Sequence, residues 1–247
     1  MAVDLAGNVY LLASAAISRG SKTSPEWAGT FVVKLHPLDP SADPTRPIPA
    51  FPSTADRTYF PPTGHSLALG FRAFWERNGA LPVFGYPLTE EFSESERTVQ
   101  YTERQRFEYH PELVGTPYEV ELGLLGVTEA QRQGLLGTEP FRPLWSGTES
   151  DANCRFLPET GHRLCFGFKA YWQSHGLDMG DPGVSFRESL ALFGYPISEE
   201  FVDPATGLVT QYFERAVFEY HPNNPDPYKV ELRRLGAEEI AARGWLP

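Results

Sequence analysis

Phe84-Gly85-Tyr86-Pro87-Leu88-Thr89-Glu90-Glu91-Phe92, followed by Val99-Gln100-Tyr101-Thr102-Glu103-Arg104-Gln105-Arg106-Phe107-Glu108-Tyr109-His110-Pro111, occurs a second time in the same chain. The second copy reads Phe193-Gly194-Tyr195-Pro196-Ile197-Ser198-Glu199-Glu200-Phe201 and then Thr210-Gln211-Tyr212-Phe213-Glu214-Arg215-Ala216-Val217-Phe218-Glu219-Tyr220-His221-Pro222. A duplication of this length decides the architecture, because each copy has the same apolar face to bury. Upstream, Thr63-Gly64-His65 recurs as Thr160-Gly161-His162, and downstream Val120-Glu121-Leu122 recurs as Val230-Glu231-Leu232.

In the first copy, Leu67, Phe71, Phe74 and Trp75 fall on one face of a helix over Ser66 to Asn78, with Thr63 as a candidate cap. Leu164, Phe168, Tyr171 and Trp172 repeat that face. Gly70 and Gly167 sit inside it, where Gly costs about 1 kcal/mol against Ala, so close packing of another segment is expected there. Leu81 to Pro87 is too rich in Pro and Gly for regular structure, and Glu90 to Phe92 fits one helical turn. Val99 to Thr102 and Phe107 to His110 read as a hairpin with a turn at Glu103 to Gln105. Alternation then points Phe107 and Tyr109 at the core and Glu108 and His110 away from it. Thr128 to Gln133 closes the copy as a short helix.

From Gly79 to Phe84 is five steps and from Gly176 to Phe193 is seventeen, so the second copy carries twelve additional residues. Asp178 to Gly183 reads as an exposed loop, with a helical extension at Ser189 to Leu192. Before the first copy, Val9 to Leu12 and Thr30 to Leu35 read as two strands joined by a polar loop, Ser18 to Gly29. Asp4, Gly7, Asn8 and Tyr10 resemble one edge of a β-propeller repeat. Pro40, Pro44, Pro47, Pro49 and Pro52 mark a semi-rigid linker, and Pro140 to Trp145 parallels Pro47 to Phe51. The expected fold class is α+β: two tandem small repeats, each a helix followed by a Pro/Gly-rich aromatic loop and a short antiparallel hairpin, preceded by an N-terminal β-hairpin. The expected boundaries are a hairpin at 1–39, a linker at 40–58, a repeat at 59–134, a linker at 135–155 and a repeat at 156–247.

At 247 residues, 41% hydrophobic and 13% aromatic, the chain can bury real cores. Its net charge of −11 repels phosphate backbones, which argues against nucleic acid. The longest apolar stretch, Val9 to Ile17, is shorter than the ~20 residues of a membrane span and has no basic flank of a signal peptide. Membrane insertion is not expected, and any leader lies outside this chain. Cys154 and Cys165 are both absent from the first copy, where Arg57 and Ala68 stand, so they are expected to form a disulfide and imply an oxidising compartment.

Candidate chemistry lies on repeated polar and aromatic residues. Glu108 with His110, and Glu219 with His221, share a strand face as an acid–base pair would. A third ligand for a metal is not marked, and the plainer role is to bond a loop. Glu103 with Glu108, and Glu214 with Glu219, are carboxylate pairs of the kind glycoside hydrolysis needs, but Glu103-Arg104 and Glu214-Arg215 fit ion pairs at a hairpin end. His65 and His162 fit a turn. Trp75, Tyr86, Tyr101 and Tyr109, with their partners Trp172, Tyr195, Tyr212 and Tyr220, are core residues or stacking platforms for sugar rings. No GxSxG, HExxH, P-loop or GxGxxG occurs, and no cofactor is implied.

Together the Phe-Gly-Tyr-Pro, Glu-Glu-Phe, Gln-Tyr and Phe-Glu-Tyr-His-Pro blocks resemble the LGFP-type repeats of secreted bacterial cell-surface proteins. The resemblance covers about residues 59 to 134 and 156 to 244. It implies an extracellular, non-catalytic module attached to cell-envelope polysaccharide or another surface polymer. The Gly-rich strand pair of such repeats is here replaced by Glu-Arg-x-x-Phe-Glu-Tyr, so no binding residue is carried over. The ligand candidates are Trp75, Tyr86, Glu108, His110, Trp172, Tyr195, Glu219 and His221. The alternatives are a self-associating structural or spacer protein, and an accessory or catalytic part of a cell-wall hydrolase.

Overall fold

A computed structural model describes residues 43–144 and 150–245, together with the backbone of three strands within residues 1–42. The strands are β1 (Ala2–Val3), β2 (Val9–Ala15) and β3 (Gly29–Leu35), an antiparallel sheet in that order. Val9 pairs with both Val3 and Leu35, and Ala15 with Gly29. The β-branched residues of β3 account for its pairing, and β1 extends the expected hairpin to three strands. The expected Gly7-Asn8 turn, the loop at 18–28, Pro40 and Trp145 lie outside the described residues. Residues 1–42 form one unit and 43–247 another.

The first copy opens with strands, not with a helix. β4 (Arg57–Phe60) pairs with β5 (His65–Ala68), and helix α1 (Leu69–Arg77) starts only after them. Leu67 reaches the core from the strand, and Phe71 and Phe74 continue the same face from the helix. Thr63 therefore sits in the hairpin turn and caps nothing; its hydroxyl has no protein partner. A Cβ at Gly70 or Gly167 would meet nothing nearer than 3.9 Å, so close packing does not explain either glycine. Helix α2 (Ala80–Phe84) forms within the supposedly irregular loop. It tolerates Pro82 because that residue lies in the first turn, where an N–H has no intrahelical acceptor.

Next comes a four-stranded antiparallel sheet, β6 (Phe92–Glu94), β7 (Arg97–Tyr101), β8 (Arg106–Tyr109) and β9 (Val120–Leu122), then helix α3 (Leu125–Arg132). The expected helical turn at Glu90 to Phe92 is instead the entry to β6. The second copy repeats the order: β10 (Cys154–Leu157), β11 (His162–Cys165), α4 (Phe166–Ser174), α5 (Phe186–Phe193), β12 (Phe201–Val202), β13 (Val209–Tyr212), β14 (Val217–Tyr220), β15 (Val230–Leu232) and α6 (Leu235–Ala242). Cys154 and Cys165 are directly paired across β10 and β11 and form a disulfide, S–S 2.06 Å, where Arg57 and Ala68 pair in the first copy. Within the added residues Leu177 and Met179 are buried, and Ser185 with Glu188 forms a capping box that starts α5.

Each four-stranded sheet is covered on both faces. On one side Phe107 and Phe218 join the helix residues Phe71, Phe74, Phe168 and Trp172 in a shared core. On the other, Val99, Tyr101 and Tyr212 meet Leu125, Leu235 and Ile240 of α3 and α6 in a second core. Fully burying one such aromatic ring is worth about 1.5–3 kcal/mol, so a second core is a substantial term. The face assigned above to solvent is therefore mostly interior, and His110 is only 8% exposed.

The last helix of each copy packs against the other copy. A Cβ on Gly126 of α3 would collide with the Phe213 carbonyl, and one on Gly236 of α6 with the Thr102 carbonyl. That closeness lets the Val127 N–H donate to the Glu214 carbonyl at 3.1 Å and the Ala237 N–H to the Glu103 carbonyl at 3.0 Å. Phe141, just past α3, contacts Tyr212, while Trp245, just past α6, contacts Tyr101. The Pro-rich leaders are tied down as well: the Glu90 N–H donates to Pro44 O at 2.9 Å and the Glu199 N–H to Pro140 O at 2.7 Å. Pro44, not Pro47, thus corresponds to Pro140.

Candidate functional site

Most of the repeated motif holds the fold together. Gly85 and Gly194 adopt φ of +77°, and a side chain there would strike Glu103 or Glu214. The Glu103 carboxylate accepts from the Tyr86 N–H at 3.2 Å, and Glu214 accepts from Tyr195 at 3.0 Å. Backbone bonds close the clasp, from the Arg104 N–H to Phe84 O and from the Arg215 N–H to Phe193 O, each 3.0 Å. Gln100 Nε2 donates to the Ser66 and Thr89 carbonyls at 2.7 Å, and Gln211 makes the same pair of bonds to Arg163 and Ser198 at 2.7 and 2.8 Å. The glutamine thereby pins the Thr-Gly-His hairpin to the Gly-Tyr-Pro loop. Glu90 accepts from the Ser66 N–H at 2.9 Å and lies 3.4 Å from buried His65. Burial opposes its ionisation, but the adjacent His65 ring and the bonds from Ser66 and Arg57 outweigh that and hold it below the usual range.

The clasp also brings side chains to the seam between copies. One hollow of about 540 Å³ takes Tyr86, Glu103 and Arg104 from the first copy and Tyr171, Tyr228 and Glu231 from the second. Another, of about 320 Å³, takes Tyr195, Glu214 and Arg215 from the second copy and Tyr118 and Glu121 from the first. Tyr195, Glu214, Arg215, Tyr118 and Glu121 stand at the positions of Tyr86, Glu103, Arg104, Tyr228 and Glu231 with the copies exchanged, whereas Tyr171 has no counterpart because Phe74, at its position, is buried. A third hollow, about 430 Å³, lies against the added residues of the second copy and is lined by Asn78 and His175, which occupy equivalent places. There the Asp178 N–H donates to Asn78 Oδ1 at 2.7 Å.

One guanidinium group at each end hollow is anchored across the seam. Arg104 Nε donates to Leu232 O at 3.3 Å, and Arg215 Nε to Leu122 O at 3.1 Å. Glu103 additionally receives Arg234 at 2.5 Å. Burial pushes the Tyr171 phenol up to about 12, so it stays a hydrogen-bond donor at neutral pH. At the third hollow the carboxylates already have partners: Glu188 accepts from the Ser185 and Met179 N–H groups at 2.6 and 3.2 Å, and Asp181 pairs with Arg187 at 3.0 Å. The Ser185 backbone bond is the main cause that holds Glu188 below the usual carboxylate range. Among the described residues no group of three or more His, Cys, Asp or Glu side chains is placed to hold a metal ion. What the seam offers is aromatic walls with carboxylate and guanidinium edges, suited to stacking and hydrogen bonding.

Of the residues expected to bind, Tyr86 and Tyr195 line the end hollows. Trp172 is 1% exposed and is not a platform; its ring wedges between α4 and the loop, with Nε1 donating to Gly194 O at 3.2 Å. Trp75 makes the same bond to Gly85 O at 3.0 Å and is half-buried. Glu108 is held by Arg106, Nε to Oε1 2.9 Å, and His110 is engaged with Arg97 at 2.8 Å and Glu112 at 3.1 Å, so these two are not brought together. Glu219 and His221 do approach, at 3.6 Å, but away from the seam hollows. Sequence reasoning missed Tyr118 and Tyr228. Their signal was the shared Pro-Tyr-x-Val-Glu-Leu block at Pro117 to Leu122 and Pro227 to Leu232.

No protein-family model matches the sequence, and no curated protein matches it either. Among the described residues no helix is long and apolar enough to cross a membrane.

Proposed function

We propose that the chain is an extracellular, non-catalytic tandem-repeat module, similar to LGFP-type repeats, that binds cell-envelope polysaccharide at the seam between its two copies. The observation that carries this reading is the pair of equivalent hollows, each with a tyrosine from either copy beside a Glu-Arg pair. Tyrosine faces stack on the C–H faces of pyranose rings, and the flanking carboxylate and guanidinium groups suit sugar hydroxyls. The Cys154–Cys165 disulfide fits an oxidising, extracytoplasmic setting. Sedimentation with purified peptidoglycan and envelope polysaccharides tests the reading. Retention of the parent chain and its loss in Tyr86→Ala/Tyr195→Ala is expected. Equal retention of both proteins, or of neither, would remove the seam as the binding site.

A further inference from the structure

We infer that the three seam hollows form one trough, which takes a single linear, uncharged polysaccharide chain across both copies. This rests on the polysaccharide reading above and specifies its ligand and stoichiometry. Val83 and His175 line both the first end hollow and the middle one, and Leu177 lines both the middle one and the second end hollow. The cavities are therefore adjacent along one path and not scattered over the surface.

The two ends present the same chemistry in opposite order, Tyr86 with Tyr228 and Tyr195 with Tyr118. A polymer of identical units is the ligand that meets such a pair with a single chain. Sugar rings suit the reversed polarity, because a pyranose offers a C–H face on both sides and stacks on tyrosine in either direction. Charge narrows the class further. Arg104 and Arg215 are committed to main-chain carbonyls of the opposite copy and Arg187 to Asp181, and over the three hollows seven carboxylates outnumber four arginines, within a chain of net charge −11. A polyanion meets like charge along the path, and an uncharged hydroxyl-rich chain does not.

One chain engaging both ends makes the second contact intramolecular, which raises affinity without a new kind of contact. Calorimetric titration of the full chain with β-1,4-linked N-acetylglucosamine oligomers of about two to eight units reads this directly. Short oligomers are expected to bind weakly at two per protein. Longer ones should bind at one per protein with affinity higher by about a hundredfold. Tyr228 is 64% exposed, so Tyr228→Ala is expected to fold; it should abolish the gain with length while leaving short-oligomer binding at the other end. Two long oligomers per protein, with affinity independent of length, would overturn the single trough and leave the polysaccharide reading standing. Preference for an acidic polymer or a peptide would overturn the ligand class. No binding of any polysaccharide would overturn both.

Discussion

One arginine shows how the two copies keep a site while changing the residue that supplies it. In the first copy Arg106 reaches Glu94 at 3.2 Å and the Tyr101 hydroxyl at 3.4 Å, and Gly123 leaves room for it. In the second, Val217 stands at the position of Arg106, and Arg233, at the position of Gly123, reaches Asp203 at 3.4 Å and the Tyr212 hydroxyl at 3.1 Å. Arg106→Val should cost about 2 kcal/mol, since it leaves half-buried Glu108 without its cation and Glu94 with Arg243 alone. Adding Gly123→Arg should restore most of that loss in urea melts; an additive loss would mean the two routes are not interchangeable. Glu91 makes a second prediction. Burial, aided by neighbouring Glu90, raises its carboxyl from 4.5 to about 7. Between those values the unfolded chain releases a proton that the folded chain retains, so this group's contribution is complete below about 4.5 and declines as pH rises to about 7. Glu91→Gln mimics the protonated form. Its stability should match the parent near pH 4.5 and exceed it increasingly up to about 7; parallel midpoints across that window would refute the assignment.

At the scale of elements, glycines separate contacts that the fold needs from those it does not. Gly70 and Gly167 lie in the first turns of α1 and α4, where an added Cβ would meet nothing nearer than ordinary van der Waals contact at 3.9 Å. Alanine there should stabilise by about 0.5–1 kcal/mol, chiefly by restricting the unfolded chain. Gly126→Ala and Gly236→Ala should each cost about 2 kcal/mol or more, because the added carbon meets a carbonyl of the other copy. Thermal melts rank the four, and equal effects would contradict the inter-copy packing of α3 and α6. The same elements show what the sequence could reveal. The helix face from Phe71 was legible, because it depends on local spacing, and so was the Cys154–Cys165 disulfide, because one copy holds both cysteines and the other neither; the strand register that pairs them was not. The β5 strand was not, since His65, Ser66 and Leu67 carry no strict alternation. Their strand is imposed by β4 and by the glutamine bond from β7. Nor was the second core, because Glu108 and His110 look solvated until α3 and α6 are brought across the sheets. Of the site, the repeated tyrosines at 86 and 195 were legible. The partnership with Tyr228 and Tyr118 was not, because it joins residues from different copies.

The whole molecule follows from that exchange of helices. A tandem repeat whose units fold alone would leave each sheet capped by its own last helix. Here Leu235 and Ile240 share a core with Val99 and Tyr101, and Leu125 shares it with Tyr212. Dividing the chain after Gly137 would strand both helices, each with an apolar face and no sheet to cover it. Copy one alone would also expose Tyr101, which is fully buried in the intact unit. Residues 43–247 should therefore unfold in one calorimetric transition, with the van't Hoff and calorimetric enthalpies equal. The separated halves 43–137 and 138–247 should each lack a cooperative transition and bind an apolar dye. Mixed in equal amounts, they should recover both the transition and the tyrosine-lined seam, because neither hollow exists without residues from both copies. Two independent transitions in the intact unit, or a cooperative melt of either half alone, would show that the copies fold separately and that the seam is only a place where finished domains touch.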